Sequence, residues 1–200
     1  MFTKILIANR GEIALRVLRS AHALGYQTVA VHSTADAGAR HVLEADAAVC
    51  IGEPLPRQSY LNIPAIIEAA KLSGADAVHP GYGFLSENPE FADACTRNGL
   101  IFIGPKSDVM RTLGNKVAAR NAAIAAGVPV LKSTQATTDI DHLLSEAAEI
   151  GFPIFAKAVA GGGGRGMRII KDESEFQKAW DDAKMESGAA FGNRSEEHTS

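Results

Sequence analysis

The sequence predicts an α/β fold, a parallel sheet with crossover helices followed by a smaller α+β lobe. Five short runs rich in apolar residues, KILIA at 4–8, TVAVH at 28–32, AAVCI at 47–51, DAVHP at 76–80 and LIFIG at 100–104, are separated by stretches of helical spacing. That is the rhythm of strand and crossover helix, repeated. After Gly104-Pro105 the rhythm changes to consecutive helical segments, and beyond residue 150 two further strand-like runs flank a run of glycines. With 200 residues, 46% of them hydrophobic, the chain has material for one complete domain and the start of a second.

The first helix, about 12–24, carries Glu12, Arg16, Arg19 and Ser20 on one face and Ile13, Val17, Leu18, Ala21 and Leu24 largely on the other, with Gly25 placed to end it. Its apolar stripe should pack on the sheet. Asn88-Pro89 offers an N-cap and a proline at the first helical position for a helix of about 89–98, ended by Gly99 before the fifth strand. The α/β unit is then complete by about residue 105. Helical segments at Ser107 to Leu113 and Lys116 to Ala126, the latter closed by Gly127 and Pro129, form a connector. A helix of about 140–150 capped by Asp139 follows, then a strand at 153–158, a glycine loop at 161–166, a strand from Met167 to Lys171 and a helix after Asp172. The domains read as 1–113 and 114–193. Residues 194–200, RSEEHTS, are wholly polar where another strand is due. They are expected to be a non-native tail, since a widely used sequencing-adapter sequence (AGA TCG GAA GAG CAC ACG TCT) translates to the same residues.

A net charge of -3 and a pI near 6.1 provide no basic surface for a nucleic acid or an anionic membrane. Any anion site must therefore be local. The two cysteines, Cys50 and Cys95, lack CxxC spacing, which argues against a disulfide scaffold or a structural zinc. No apolar run approaches the roughly 20 residues of a membrane span, and no charged leader precedes the first strand. The expected compartment is the cytoplasm, or an organelle matrix if a transit peptide has been removed.

The strongest chemical signal is Gly161-Gly162-Gly163-Gly164-Arg165-Gly166 between two strands. Consecutive glycines let the backbone approach a ligand and turn N–H groups toward phosphate oxygens, and Arg165 adds positive charge. The string matches G-x-G-x-x-G, but Met167-Arg168-Ile169-Ile170 after it reads as a strand, whereas a dinucleotide loop opens a helix. No G-K-[ST] follows, so it is no P-loop either. A flap over a nucleotide fits, as does a hairpin that merely turns. Lys157 lies in the apolar strand IFAKAV with Phe155 and Val159, where a ligand phosphate would relieve the cost of a buried ammonium; a snorkelling surface lysine is the alternative. Lys116 opens its helix and is less informative alone. His79 to Asn88 leaves the end of a strand carrying an aromatic, a histidine and a carboxylate, which suits a site wall or a capped turn. The turn Asn9-Arg10-Gly11-Glu12 places a helix N-terminus where a carboxylate or phosphate could bind.

ANRGEIALRV at 8–17, SYLNIPAII at 59–67, HPGYGFLSEN at 79–88, FIGP at 102–105, LGNKVAAR at 113–120 and AGGGGRGMR at 160–168 resemble, in order and spacing, the biotin carboxylases. The resemblance covers about residues 2–192. It implies a Rossmann-like pre-ATP-grasp domain followed by the first, small lobe of an ATP-grasp domain. It also implies ATP-dependent carboxylation of biotin by bicarbonate, through carboxyphosphate. Lys116 and Lys157 would meet the nucleotide phosphates, residues Gly161, Gly162, Gly163, Gly164, Arg165, Gly166 and Met167 would form the flap on ATP, and Tyr82, Gly83 and Glu87 would line the acceptor side. Mg2+ ligands and catalytic residues would lie beyond this segment, so the chain alone is expected to be inactive. Implied partners are a biotin carboxyl carrier protein or domain, a carboxyltransferase and a second copy of the parent, which would be an acetyl-CoA, propionyl-CoA, methylcrotonyl-CoA or pyruvate carboxylase. Leu131-Lys132-Ser133-Thr134 departs from the Pro-Gly turn common in that family. Other carboxylate-amine ATP-grasp ligases, such as carbamoyl-phosphate synthetase, lack HPGYGFLSEN. A dinucleotide oxidoreductase would need a glycine fingerprint after the first strand, which Asn9-Arg10-Gly11 does not supply.

Overall fold

A computed structural model describes residues 2–134, 139–157 and 167–191. The chain forms two units, Met1–Gly114 and Asn115–Ser200. The first runs β1 (Lys4–Ile7), α1 (Gly11–Ala23), β2 (Gln27–Ser33), a single turn α2 (Arg40–Leu43), β3 (Ala47–Gly52), α3 (Ile63–Ser73), β4 (Ala77–His79), α4 (Pro89–Arg97), β5 (Ile101–Phe102) and α5 (Ser107–Gly114). All neighbouring strands pair in parallel, in the order β3-β2-β1-β4-β5.

Consecutive residues Ile5, Leu6 and Ile7 are all buried because both faces of the sheet are covered. Ile5, Ile7 and Ala77 meet Ala14, Leu18 and Ala21 of α1 on one face. On the other, Leu6, Val29, Val31 and Val78 pack with Ile66 and Ala70 of α3 and with Phe91 and Cys95 of α4. Burial pushes the Cys95 thiol up to about 12, so it behaves as a small apolar side chain.

Three expectations need adjustment. Leu24 is not part of the α1 stripe: the helix closes one residue earlier, Leu24 becomes its C-cap and stands 74% exposed, and Ala14 takes the buried position instead. Gly25 follows at φ +83°, the left-handed conformation that ends the helix. The fifth strand is only Ile101–Phe102 rather than 100–104, although the Ile103 N–H still reaches the Val78 carbonyl at 2.9 Å. The β2 to β3 crossover has only a 3-10 turn at Thr34–Asp36 and the single turn α2, both too short to leave a periodic signal.

In the second unit α6 (Lys116–Ala125) and α7 (Ile140–Ile150) precede β6 (Ile154–Lys157), β7 (Met167–Ile170) and α8 (Phe176–Phe191). The two strands pair antiparallel. Leu143 and Ala147 of α7, Ile170 of β7 and Phe176 of α8 form a core that the flanking Ile154 and Trp180 extend. Among the described residues no helix is long and apolar enough to cross a membrane.

Candidate functional site

In an open parallel sheet, ligands gather beyond the strand C-termini where the strand order reverses. Here that reversal falls between β1 and β4. The segments leaving those strands line an open depression of about 310 Å3, with Asn9, Arg10, Glu12 and Ile13 on one side and Tyr82, Gly83 and Phe84 on the other.

Asn9 holds the two segments together. It is 2% exposed. Its Nδ2 donates to the carbonyls of Pro80 at 2.8 Å and Tyr82 at 2.9 Å, while its Oδ1 accepts from the Arg10 N–H at 2.9 Å. Gly81 packs against this amide at φ +67°, and a Cβ there would lie 2.6 Å from Asn9 Nδ2. The Gly81 N–H donates to His79 Nδ1 at 3.0 Å, which places the ring proton of neutral His79 on Nε2. Burial holds the His79 pKa below its ordinary value.

Phe84 has φ +42°, the one left-handed non-glycine among the described residues. A bulky side chain there carries strain that its surroundings must offset. Its ring stacks on Tyr60 at 5.2 Å, and the Arg10 guanidinium lies 5.4 Å from the Tyr60 centroid and 5.8 Å from that of Phe84. Beneath them the Tyr60 hydroxyl donates to Asp36 Oδ2 at 2.6 Å and accepts from the Ser33 N–H at 3.0 Å. Burial, then the bond to the Asp36 carboxylate, pushes Tyr60 up to about 12. Burial alone would raise Asp36, but bonds from Tyr60 and Ser33 and the nearby Arg10 outweigh it and hold the carboxyl below its usual range.

Of the wall residues expected from sequence, Tyr82 and Gly83 line the depression, whereas Glu87 is exposed on the turn into α4 and outside its lining. Asn88 caps α4 by accepting from the Phe91 N–H at 3.0 Å. In the Asn9-Arg10 turn, read as a helix start where an anion could bind, Asn9 holds the loop and Arg10 stacks on aromatic rings, and the N-cap position makes no side-chain hydrogen bond to the first turn of α1. Sequence reading missed Ser33, Asp36 and Tyr60; the position of TAD directly after β2, with SYLN after β3, was the available signal.

In the second unit Lys116 is the first residue of α6, whose cap Asn115 accepts from the N–H groups of Val117 and Ala118, both at 3.0 Å. Lys157 closes β6 opposite Met167, the first residue of β7. The side chains of both lie outside the described residues, as do Gly161, Gly162, Gly163, Gly164, Arg165 and Gly166 entirely. The glycine run thus lies between two paired strands rather than ahead of a helix. Among the described residues no three His, Cys, Asp or Glu side chains gather to hold a metal.

A parallel sheet with a loop clamped at its switch point is the architecture of an α/β ligand-binding unit. The family described as biotin carboxylase, N-terminal domain, matches residues 1–110, and that described as carbamoyl-phosphate synthase L chain, ATP binding domain, matches 115–196. The chain belongs to the biotin carboxylase family. It is 52% identical over 195 residues to a Pseudomonas aeruginosa biotin carboxylase, covering 96% of this chain and 43% of that protein. A Campylobacter jejuni biotin carboxylase, solved as a beta-gamma-ATP complex, superposes with a TM-score of 0.87 at 46% identity, covering 96% of this chain and 43% of that one. The biotin carboxylase domain dimer of Hydrogenobacter thermophilus 2-oxoglutarate carboxylase, in complex with MgADP, ADP and bicarbonate, gives 0.84 at 45% identity, covering 96% and 42%. The chain therefore spans less than half the length of these relatives.

Proposed function

We propose that the chain supplies the nucleotide-phosphate lysines, the glycine flap and one wall of the acceptor site to an enzyme that carboxylates biotin with ATP and bicarbonate. The observation that carries this reading is the loop 80–84, clamped at the switch point of the sheet in a chain that is 52% identical over 195 residues to a biotin carboxylase. Bicarbonate attacks the γ-phosphate and displaces ADP to give carboxyphosphate, which breaks down to CO2 and phosphate; the biotin ureido nitrogen loses its proton to that phosphate and captures the CO2. Phosphoryl transfer relies on positioning and on neutralising charge. Lys116 and Lys157 would do this at phosphate oxygens, together with N–H groups of 161–166. Tyr82 offers an exposed aromatic face to the acceptor while its backbone carbonyl is held by Asn9. Mg2+ would supply further charge neutralisation when bound, from ligands outside the described residues. The second unit's family is named for a carbamoyl-phosphate synthase, but the HPGYGFLSEN loop and the relatives spanning both units favour biotin as acceptor.

The remaining proposals follow from the family. Partners would be a biotin carboxyl carrier, a carboxyltransferase and a second copy of the parent; the setting would be the cytoplasm or an organelle matrix, with fatty acid biosynthesis among the pathways served. The test is a chimera in which residues 2–192 replace the matching region of the Pseudomonas aeruginosa enzyme. Lys116→Ala and Lys157→Ala should each raise the KM for ATP or lower kcat by about ten- to a hundredfold, the scale of a lost charged hydrogen bond of about 1.5–3 kcal/mol. Tyr82→Ala should raise the KM for biotin instead. Unchanged ATP kinetics in both lysine variants would sink the assignment.

A further inference from the structure

The proposed acceptor wall is held by a residue that lines the depression with both of its amide protons already committed to the loop. All the polar capacity of Asn9 on the loop side is committed: both amide protons go to carbonyls two residues apart, at 2.8 and 2.9 Å, and they straddle Gly81. The amide can sit only one way round. A flip would bring Oδ1 against two carbonyl oxygens and point Nδ2 at the Arg10 N–H that Oδ1 now accepts. Gly81 closes the clamp from the loop side, since its missing Cβ is what lets Asn9 approach, and His79 Nδ1 accepts its N–H. Downstream, the left-handed Phe84 is braced by its stack on the buried Tyr60. The backbone is thus fixed on both sides of a Tyr82 side chain that remains 64% exposed. A fixed backbone under an open aromatic face is the arrangement of a docking surface, because its orientation is set before the ligand arrives.

From this geometry we infer that Asn9 is a positioning residue for the biotin acceptor, acting through the carbonyls of Pro80 and Tyr82 to set the placement of Tyr82 and Gly83. The inference rests on the reading of Tyr82 and Gly83 as the acceptor wall. Asn9→Asp is the discriminating substitution, because it keeps the shape of the side chain and the bond from the Arg10 N–H while replacing two donations by repulsion between oxygens.

In the chimera, with free biotin as acceptor, Asn9→Asp should raise the KM for biotin about ten- to a hundredfold and leave the KM for ATP within about twofold. A merely structural role would lower the amount of active enzyme, so that kcat falls while both KM values stay. That pattern, or an unchanged KM for biotin in Asn9→Asp alongside a raised one in Tyr82→Ala, overturns the inference and leaves the wall standing. Unchanged biotin kinetics in Tyr82→Ala overturns the wall, and the inference with it. Should Asn9→Asp yield no folded protein, Gly81→Ala presses on the same amide from the loop side and carries the same expectation; an unchanged KM for biotin there overturns the inference.

Discussion

One buried and one half-buried histidine give the first unit an acid sensitivity that belongs to single residues. His79 accepts a hydrogen bond at Nδ1, and His41 is 1% exposed. Burial lowers the pKa of both. Because their folded pKa values lie below the unfolded value of about 6.5, their neutral forms favour folding, and the unfolded chain binds more protons between the two values. Stability should be complete above about pH 6.5 and decline below it. A second decline should begin below about pH 4, where Asp36, Asp46 and Asp76, all lowered in the folded state, become protonated. Hydrogen exchange at the β1 amides as a function of pH reads this directly, and His41→Leu should flatten the first decline. At this scale the sequence displayed only part of the site. Tyr82, Gly83 and the caps could be read from local strings, but Tyr60 and Asp36 are 24 residues apart and only the sheet brings them together.

At the scale of elements, periodicity located the helices well and their ends less well. The α1 stripe shows why: Leu18 and Leu24 look equivalent as apolar letters, yet the turn at Gly25 leaves Leu24 in solvent while Leu18 lies beneath the sheet at 1% exposed. Leu18→Ala should cost about 2–5 kcal/mol, and Leu24→Ala less than about 0.5 kcal/mol. The single tryptophan, Trp180, lies in the second unit, so exchange at β1 amides is a better readout of the first unit than fluorescence. An equal cost for the two substitutions would mean that α1 ends elsewhere. The ends of β5 and the one-turn α2 were illegible for a related reason: elements of two to four residues are too short for a pattern to repeat.

At the scale of the whole molecule, the alternation of strands and helices was sufficient to read a parallel sheet and its succession by an α+β unit. Strand order was not legible in the pattern itself, since β4 can return to either edge or beside β1, and only the pairing of Ile5, Leu6 and Ile7 with Ala77, Val78 and His79 fixes the switch point. The glycine run and Lys157 were legible by composition, while the side-chain geometry that would hold a phosphate depends on residues outside those described. The central claim is that this chain carries the ATP and acceptor elements of biotin carboxylation. It is tested most directly by carboxybiotin formation from radiolabelled bicarbonate in the purified chimera, with the 200-residue chain assayed beside it. The expected result is ATP-dependent carboxybiotin from the chimera, within about tenfold of the Pseudomonas aeruginosa enzyme, and none from the 200-residue chain, which spans 43% of that enzyme's length. A folded chimera that binds ATP yet forms no carboxybiotin would contradict the claim.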